Sequence, residues 1–322
     1  MPIIHAGTVE MPKPEIAMAV REYSPDDEKF AADRILPPTP SQVESGTVPV
    51  IQREDALRIE NTRRAPGANF ARVDFREEGL EFKCRGYGAE CKVPDETRAI
   101  YRHAFDAELE AGYVCKSILM REREARVAAA ILNGSTWTGA ALTTDVSGTA
   151  PFATVGSDVV TAVNGAIEKV QLNSGLIPNA LIANTVNVNR LIANTVIRAR
   201  FPGAAIITRQ MLADALAAIF GITTLVECGA VKNDAAEGQA HSGAYIWSST
   251  YVQVARLIPE GAPVSTPGLG RTMKWGGLMG VDADMNVVMY RESQSKSDVL
   301  QSDWYIDELI FGTAYAHMLK VA

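Results

Sequence analysis

The side chains through which this chain could do chemistry are few and scattered. His5, His103, His241 and His317 stand alone, without the spacing of metal ligands. Cys84 and Cys91 have six residues between them, outside the zinc-knuckle range. Asp282-Ala283-Asp284-Met285-Asn286 imitates the start of a calcium loop, but Val287 replaces the turn glycine and Ser293 the closing glutamate. Ser293 and Lys296 have the S-x-x-K spacing of some acyl enzymes, without the companion motifs. Gly268-Leu269-Gly270 lacks the third glycine of a dinucleotide loop, and there is no P-loop. No acid, base and nucleophile set emerges. The expectation is a protein without catalytic, cofactor-binding or metal-binding residues, and not an enzyme.

The bulk properties fit that expectation. A chain of 322 residues is long enough for about two domains. Its 47% hydrophobic and 21% charged content is ordinary for a globular protein. A net charge of -7 argues against a surface that grips nucleic acid, though not against a container that encloses it. No apolar run approaches the roughly eighteen residues of a membrane span, and no signal peptide is read at the N-terminus. The four cysteines are too few and scattered for a disulfide framework, so reduced thiols in a cytoplasmic setting are expected.

The elements are more telling than the side chains. Residues 1–45 carry seven prolines, a density that favours extended backbone. Inside this arm Ser24, Pro25 and the acids Asp26, Asp27 and Glu28 predict a helix running to about Ile35. Asn69–Arg76 alternates, with Ala71, Val73 and Phe75 opposite Arg72, Asp74 and Arg76. Glu77-Glu78-Gly79 reads as a turn, after which Leu80, Phe82 and Cys84 resume the apolar face. A hairpin of this kind is marginal alone, and the flanking segments look too extended to cover it, so a neighbouring copy is expected on its apolar face. A helix opens at Pro94-Asp95-Glu96 and runs to Ile131, weakened at Gly112; unbroken, it would span roughly 55 Å.

An α/β pattern follows. Ser157 is expected to cap a helix closed by Asn173-Ser174-Gly175, and Thr208 a second one ended by Gly221. Strands are expected at Ala180–Ala183, Ile222–Val226, Ala244–Trp247, Tyr251–Leu257, Trp304–Phe311 and Ala314–Val321. Leu-Ile-Ala-Asn-Thr-Val occurs at Leu181–Val186 and Leu191–Val196; the first copy reads as a strand ending in a cap, the second as mostly helix. Pro259 to Gly280 reads as a loop.

This order of parts resembles the tailed-bacteriophage major capsid protein with its Hong Kong 97 fold. Phe30-Ala31-Ala32-Asp33-Arg34-Ile35-Leu36-Pro37 is similar to the family's arm motif. Ser45–Val50 resembles the entry into its E-loop, and Arg63–Gly67 with Val73-Asp74-Phe75 resembles that loop's first strand. Cys84, Tyr87-Gly88 and Val93-Pro94-Asp95-Glu96 fit the return strand and the start of the spine helix. The resemblance implies an α+β fold with an arm at 1–45, an E-loop at 46–93 and a peripheral domain with the spine helix at 94–150. An axial domain at 151–280 and a return to the peripheral domain at 281–322 would complete it.

It further implies a shell of pentamers and hexamers around double-stranded DNA, in a virion capsid assembled in the bacterial cytoplasm. A separate scaffolding protein, a portal and a decoration or cement protein are the implied partners; no membrane and no isopeptide crosslink are expected. Phe30, Asp33, Pro37, Arg64, Arg72, Val73, Phe75, Phe82 and Arg85 are the residues expected at contacts between subunits. Two alternatives stand beside this reading: an encapsulin-like cellular compartment and a small-molecule α/β enzyme.

Overall fold

The computed structural model of the chain describes residues 8–10, 14–23, 29–51, 57–67, 69–70, 77–101, 106–200, 208–276 and 285–322. The first half contains β1 (Thr8–Glu10), α1 (Pro14–Glu22), α2 (Ala32–Ile35), β2 (Pro38–Ser41), β3 (Ser45–Ile51), β4 (Glu77–Lys83), β5 (Arg85–Pro94), α3 (Asp95–Tyr101), α4 (Ala107–Ile131) and β6 (Thr143–Asp145). There follow α5 (Val159–Ser174), β7 (Ala180–Asn184), α6 (Thr185–Ala193), α7 (Thr195–Arg198), α8 (Arg209–Phe220) and β8 (Thr224–Cys228). The chain closes with β9 (Val231–Asn233), β10 (Gly243–Tyr245), β11 (Tyr251–Ala255), β12 (Gly270–Trp275), β13 (Asn286–Glu292), β14 (Ser297–Ile310) and β15 (Ala316–Lys320).

β14 organises the first sheet. It pairs antiparallel with β13 and β5 along its first part and with β12 along its last, while β1 extends the sheet beyond β13. The arm strand β2 joins the far edge, parallel to β12. The second sheet has the order β6-β15-β11-β7-β8, with β15 antiparallel to β11 and β7 parallel to β8. On one of its faces lie α5, α6 and α8, through Val163, Leu191, Leu212 and Leu216. The opposite face meets the end of α4 (Val127, Ile131) together with Ala31, Ile35 and Leu36 of the arm. The arm is therefore part of the joint between the two sheets.

Local chemistry explains most helix ends. Asn184 accepts from Val186 N, so the first hexapeptide ends in a cap as expected; in the second, mostly helical as expected, extended Asn194 breaks the helix and caps α7 by accepting from Val196 N. Thr208 caps α8, and Gly175 and Gly221, at φ of 68° and 69°, end α5 and α8 in the left-handed region.

Several expectations are corrected. The cap of α5 is Asp158, whose Oδ1 accepts from Thr161 N; the Ser157 hydroxyl instead donates to the carbonyls of Pro151 and Thr154. Glu77-Glu78-Gly79 is not a turn but the start of β4, whose partner is Ser45–Ile51. The helix predicted from Ser24 does not run through: residues 29–31 are non-helical, Lys29 has a φ of 50°, and α2 holds only four residues. The long helix is interrupted at Asp106, whose extended backbone caps α4 as its side chain accepts from Glu108 N and Leu109 N. β12 lies inside the stretch read as a loop, and α1 lies in the stretch read as extended.

Candidate assembly surface

The arm is fastened within its own chain. Glu124, fully buried on α4, accepts hydrogen bonds from Ala31 N (2.8 Å), Ala32 N (2.9 Å) and Trp247 Nε1 (2.6 Å). Burial pushes its carboxyl above the ordinary range, against the lowering effect of those three donors. Its neighbour Arg123 reaches Asp33 (2.5 Å) and Thr272 Oγ1 (3.0 Å), while the Thr272 hydroxyl donates to Leu36 O. Arg271 donates to Thr39 Oγ1 and to the carbonyls of Ala262 and Pro263. Pro37 is buried, and its carbonyl accepts from Thr272 N. Phe30 is half-buried beside these contacts.

A second cluster holds the start of the helices to the first sheet. Arg98 bridges Asp95 (2.8 Å), Glu108 (2.8 Å) and Asp298 (2.6 Å), and Arg291 bridges Asp95 and Asp298. Glu108 and Asp298 are buried, so this ion cluster is more than a surface ornament.

The hairpin divides into a clamped root and an outward tip. At the root Val48, Phe82 and Cys84 are buried against Met273 and Leu309 of the same chain. Lys83 N donates to Asp307, and burial followed by the Asp307 charge raises the Cys84 thiol to about 11. The expectation that Phe82 needs a neighbouring copy is thus corrected: its own sheet covers it. Arg85 is exposed at the start of β5, opposite Ile306.

The tip differs. Leu57 rests against Gly175, but Ile59 is 97% exposed and Phe70 81% exposed. The Arg64 guanidinium lies 4.2 Å from the Phe70 ring centroid, and Arg58 and Arg63 are exposed beside it. Arg72, Val73 and Phe75 fall outside the described residues.

Where β5 and β14 pair, a groove of about 480 Å³ is lined by Gly86, Gly88, Glu90, Gln301, Asp303 and Tyr305. A side chain at position 86 would come within 2.9 Å of the Tyr305 ring, so glycine lets that ring lie flat on the strand. Apolar side chains also face outward at Val114 and Ile118, one turn apart on α4, and at Leu172 and Ile177 around the end of α5. Among the described residues no group of His, Cys, Asp or Glu could hold a metal ion, and no helix is long and apolar enough to cross a membrane.

This arrangement of two sheets, long helix, arm and projecting hairpin matches known structures over nearly the whole chain. A phage-related protein of Bordetella bronchiseptica RB50 superposes with a TM-score of 0.71 at 22% identity, covering 98% of each chain. The capsid of cyanophage P-SCSP1u gives 0.57 at 13% identity, over 100% of this chain and 93% of that one. The chain has the Hong Kong 97-type capsid fold. The same fold in the holo encapsulin complex of Synechococcus elongatus PCC 7942 gives 0.54 at 13% identity, over 94% and 89% of the two chains. No protein-family profile and no curated protein sequence matches the chain.

Within this capsid fold, the residues expected at subunit contacts separate into two sets. Pro37 and Phe82 are buried by the chain's own joint and sheet and the exposed Asp33 is bonded by Arg123, whereas Arg64 and Arg85 face outward. Sequence reasoning missed Ile59 and Phe70. Their signal was an apolar side chain isolated among arginines and asparagines, a pattern with no periodicity to detect. The anchoring pair Arg123 and Glu124 lies among other charged residues of the long helix and carries no distinguishing pattern. Nothing in a helical pattern distinguishes a solvated carboxylate from one that receives three hydrogen bonds.

Proposed function

We propose that this protein is the major capsid protein of a tailed bacteriophage, assembling through pentamers and hexamers into an icosahedral shell around double-stranded DNA. The observation that carries this reading is the hairpin tip. Ile59 and Phe70 project into solvent from a ribbon whose root is clamped to the body. Burying each side chain on a neighbour would contribute roughly 1.5–3 kcal/mol, and a shell repeats the contact in every copy. Exposed ion pairs, at about 0–1 kcal/mol each, would set register rather than supply most of the affinity.

In this reading the first sheet with α4 forms the peripheral domain, the second sheet with α5, α6 and α8 forms the axial domain, and β3 and β4 form the E-loop. The groove at Gly86 and Tyr305 is a surface on which a neighbouring subunit would lie. Partners would be further copies of the chain, a separate scaffolding protein, a portal and a decoration protein, with assembly in the bacterial cytoplasm. Neither catalysis nor a cofactor is part of the role.

The test is negative-stain microscopy of the purified protein, expressed alone and together with a candidate scaffolding protein. Polyhedral shells or rings are expected, and Ile59→Asp with Phe70→Asp should leave folded protein that no longer assembles. Small particles from the unmodified chain under both conditions would overturn the proposal. The encapsulin match supports a second reading, a cellular compartment. Shells that co-purify with a single enzyme rather than enclosing phage DNA would favour it.

A further inference from the structure

The apolar patch beneath α4 contains two sulfurs. Cys115 on α4 is fully buried, and Cys91 on β5 packs against the same cluster, beside Met289 and Leu300. The two thiols are within hydrogen-bonding reach of each other, and both are free. The other two cysteines are placed differently. Cys84 and Cys228 are buried in separate clusters, where each donates to a backbone carbonyl, of Met273 and Val226.

Helix and sheet approach closely here. One turn before Cys115, Gly112 lies so near the sheet that a side chain there would sit 3.4 Å from Leu300 Cδ1. Leu300 is directly opposite Cys91 in the strand register. Cys91 and Cys115 thus sit on facing elements of one packed cluster, the juxtaposition a disulfide requires.

We propose that Cys91 and Cys115 are a dithiol modification site, closed to a disulfide by a small-molecule disulfide such as oxidised glutathione. Cys91 is the entry point because it is the partly exposed member. Its thiolate attacks one glutathione sulfur, forming a mixed disulfide and releasing one glutathione thiolate. Cys115 then loses its proton to water, attacks the Cys91 sulfur and expels the second glutathione. The protein is oxidised by two electrons, and one glutathione disulfide is reduced to two thiols. Burial, and then the hydrogen bond with Cys91, raises the Cys115 thiol well above its ordinary range, so the second step is the slow one. The product would join the long helix covalently to the strand returning from the hairpin. Its formation does not depend on the shell reading.

The experiment uses the full chain. The protein is incubated with oxidised glutathione, alkylated, unfolded, alkylated again with a second reagent and mapped by mass spectrometry. Two of the four thiols should become unreactive, a peptide pair linked through Cys91 and Cys115 should appear, and dithiothreitol should remove it. Cys84→Ser should retain the link, and Cys91→Ser should abolish it. Four reactive thiols, a reaction that stops at glutathionylated Cys91, or a link between other cysteines would each overturn the proposal. The result on the unmodified chain decides even where a variant fails to fold.

Discussion

The arm at 29–41 and the hairpin tip at 57–67 and 69–70 both lie largely outside regular elements and carry many polar residues, and both invite the same reading as clamps on a neighbour. Their surroundings separate them. The arm sinks Ala31, Ile35 and Leu36 into the joint between the sheets, and its backbone is met by Glu124, Thr272 and β12. The tip leaves Ile59 and Phe70 in solvent. A segment is internal when buried side chains wait to bond its backbone, and external when, Leu57 against Gly175 aside, its apolar side chains are left uncovered. The arm segment thus stabilises the subunit, while the tip remains available to a second copy.

Four measurements would break or sharpen this contrast. The largest effect is expected at Glu124. Glu124→Ala would leave the N–H groups of Ala31, Ala32 and Trp247 buried without their acceptor, lowering stability by about 3–5 kcal/mol in denaturant unfolding. A loss below about 1 kcal/mol would mean that the arm is not held in this way.

Acid should act next, and away from the arm. Burial lowers the His317 pKa to about 4, with the ring between Thr144 Oγ1 and Ala141 O. The unfolded chain therefore binds more protons between about pH 6.5 and 4, and stability is lost as the pH falls through that window, by up to about 3 kcal/mol. Glu124 has the opposite sign: its raised pKa favours the folded chain as the pH falls. Thermal unfolding should be acid-sensitive in the native protein and much less so in His317→Asn. An equal acid response in both would remove His317 as the cause.

Gly112 comes third. Replacing it by alanine should strengthen an isolated helix by about 1 kcal/mol. Here the new Cβ would lie 2.3 Å from Val20 Cγ2, so α1 must shift and a net loss of about 1–2 kcal/mol is expected. Recovery in the Gly112→Ala, Val20→Ala pair would trace the loss to that contact. The smallest effect on the subunit belongs to Ile59→Asp with Phe70→Asp, within about 0.5 kcal/mol of the parent. A larger loss would show that the tip is packed on its own chain after all.

Legibility in the sequence followed the range of the interaction involved. The caps at Thr208 and Asn184 were readable because a side chain bonds a backbone two or three residues away, and the stops at Gly175 and Gly221 because glycine alone takes a positive φ without strain. The signal for α1, a proline at its first position followed by Glu15, was also present but was outweighed by the surrounding prolines. The turn placed at Glu77–Gly79 failed because alternation reveals a strand without naming its partner, and Ser45–Ile51 lies a whole loop away. β12 was hidden because its glycine and the glycines and prolines around it suggested a loop; a side chain at Gly270 would lie 2.0 Å from Leu309 O, a demand set by the neighbouring strand alone. The outward residues Ile59 and Phe70 belong to no period and could be recognised only once the rest of the chain had found its place.

The pairing of β2 with β12 also sets a timetable. The Thr39 hydroxyl meets Arg271 across 232 residues of sequence, and Leu36 meets Thr272 across 236. At a synthesis rate of roughly 5–20 residues per second, the arm waits on the order of ten seconds or more for the strand that will receive it. During that interval Ile35 and Leu36 have no joint to enter. The subunit is therefore completed at its two ends together, and a nascent chain released before β12 emerges would carry a loose, apolar arm into the cell.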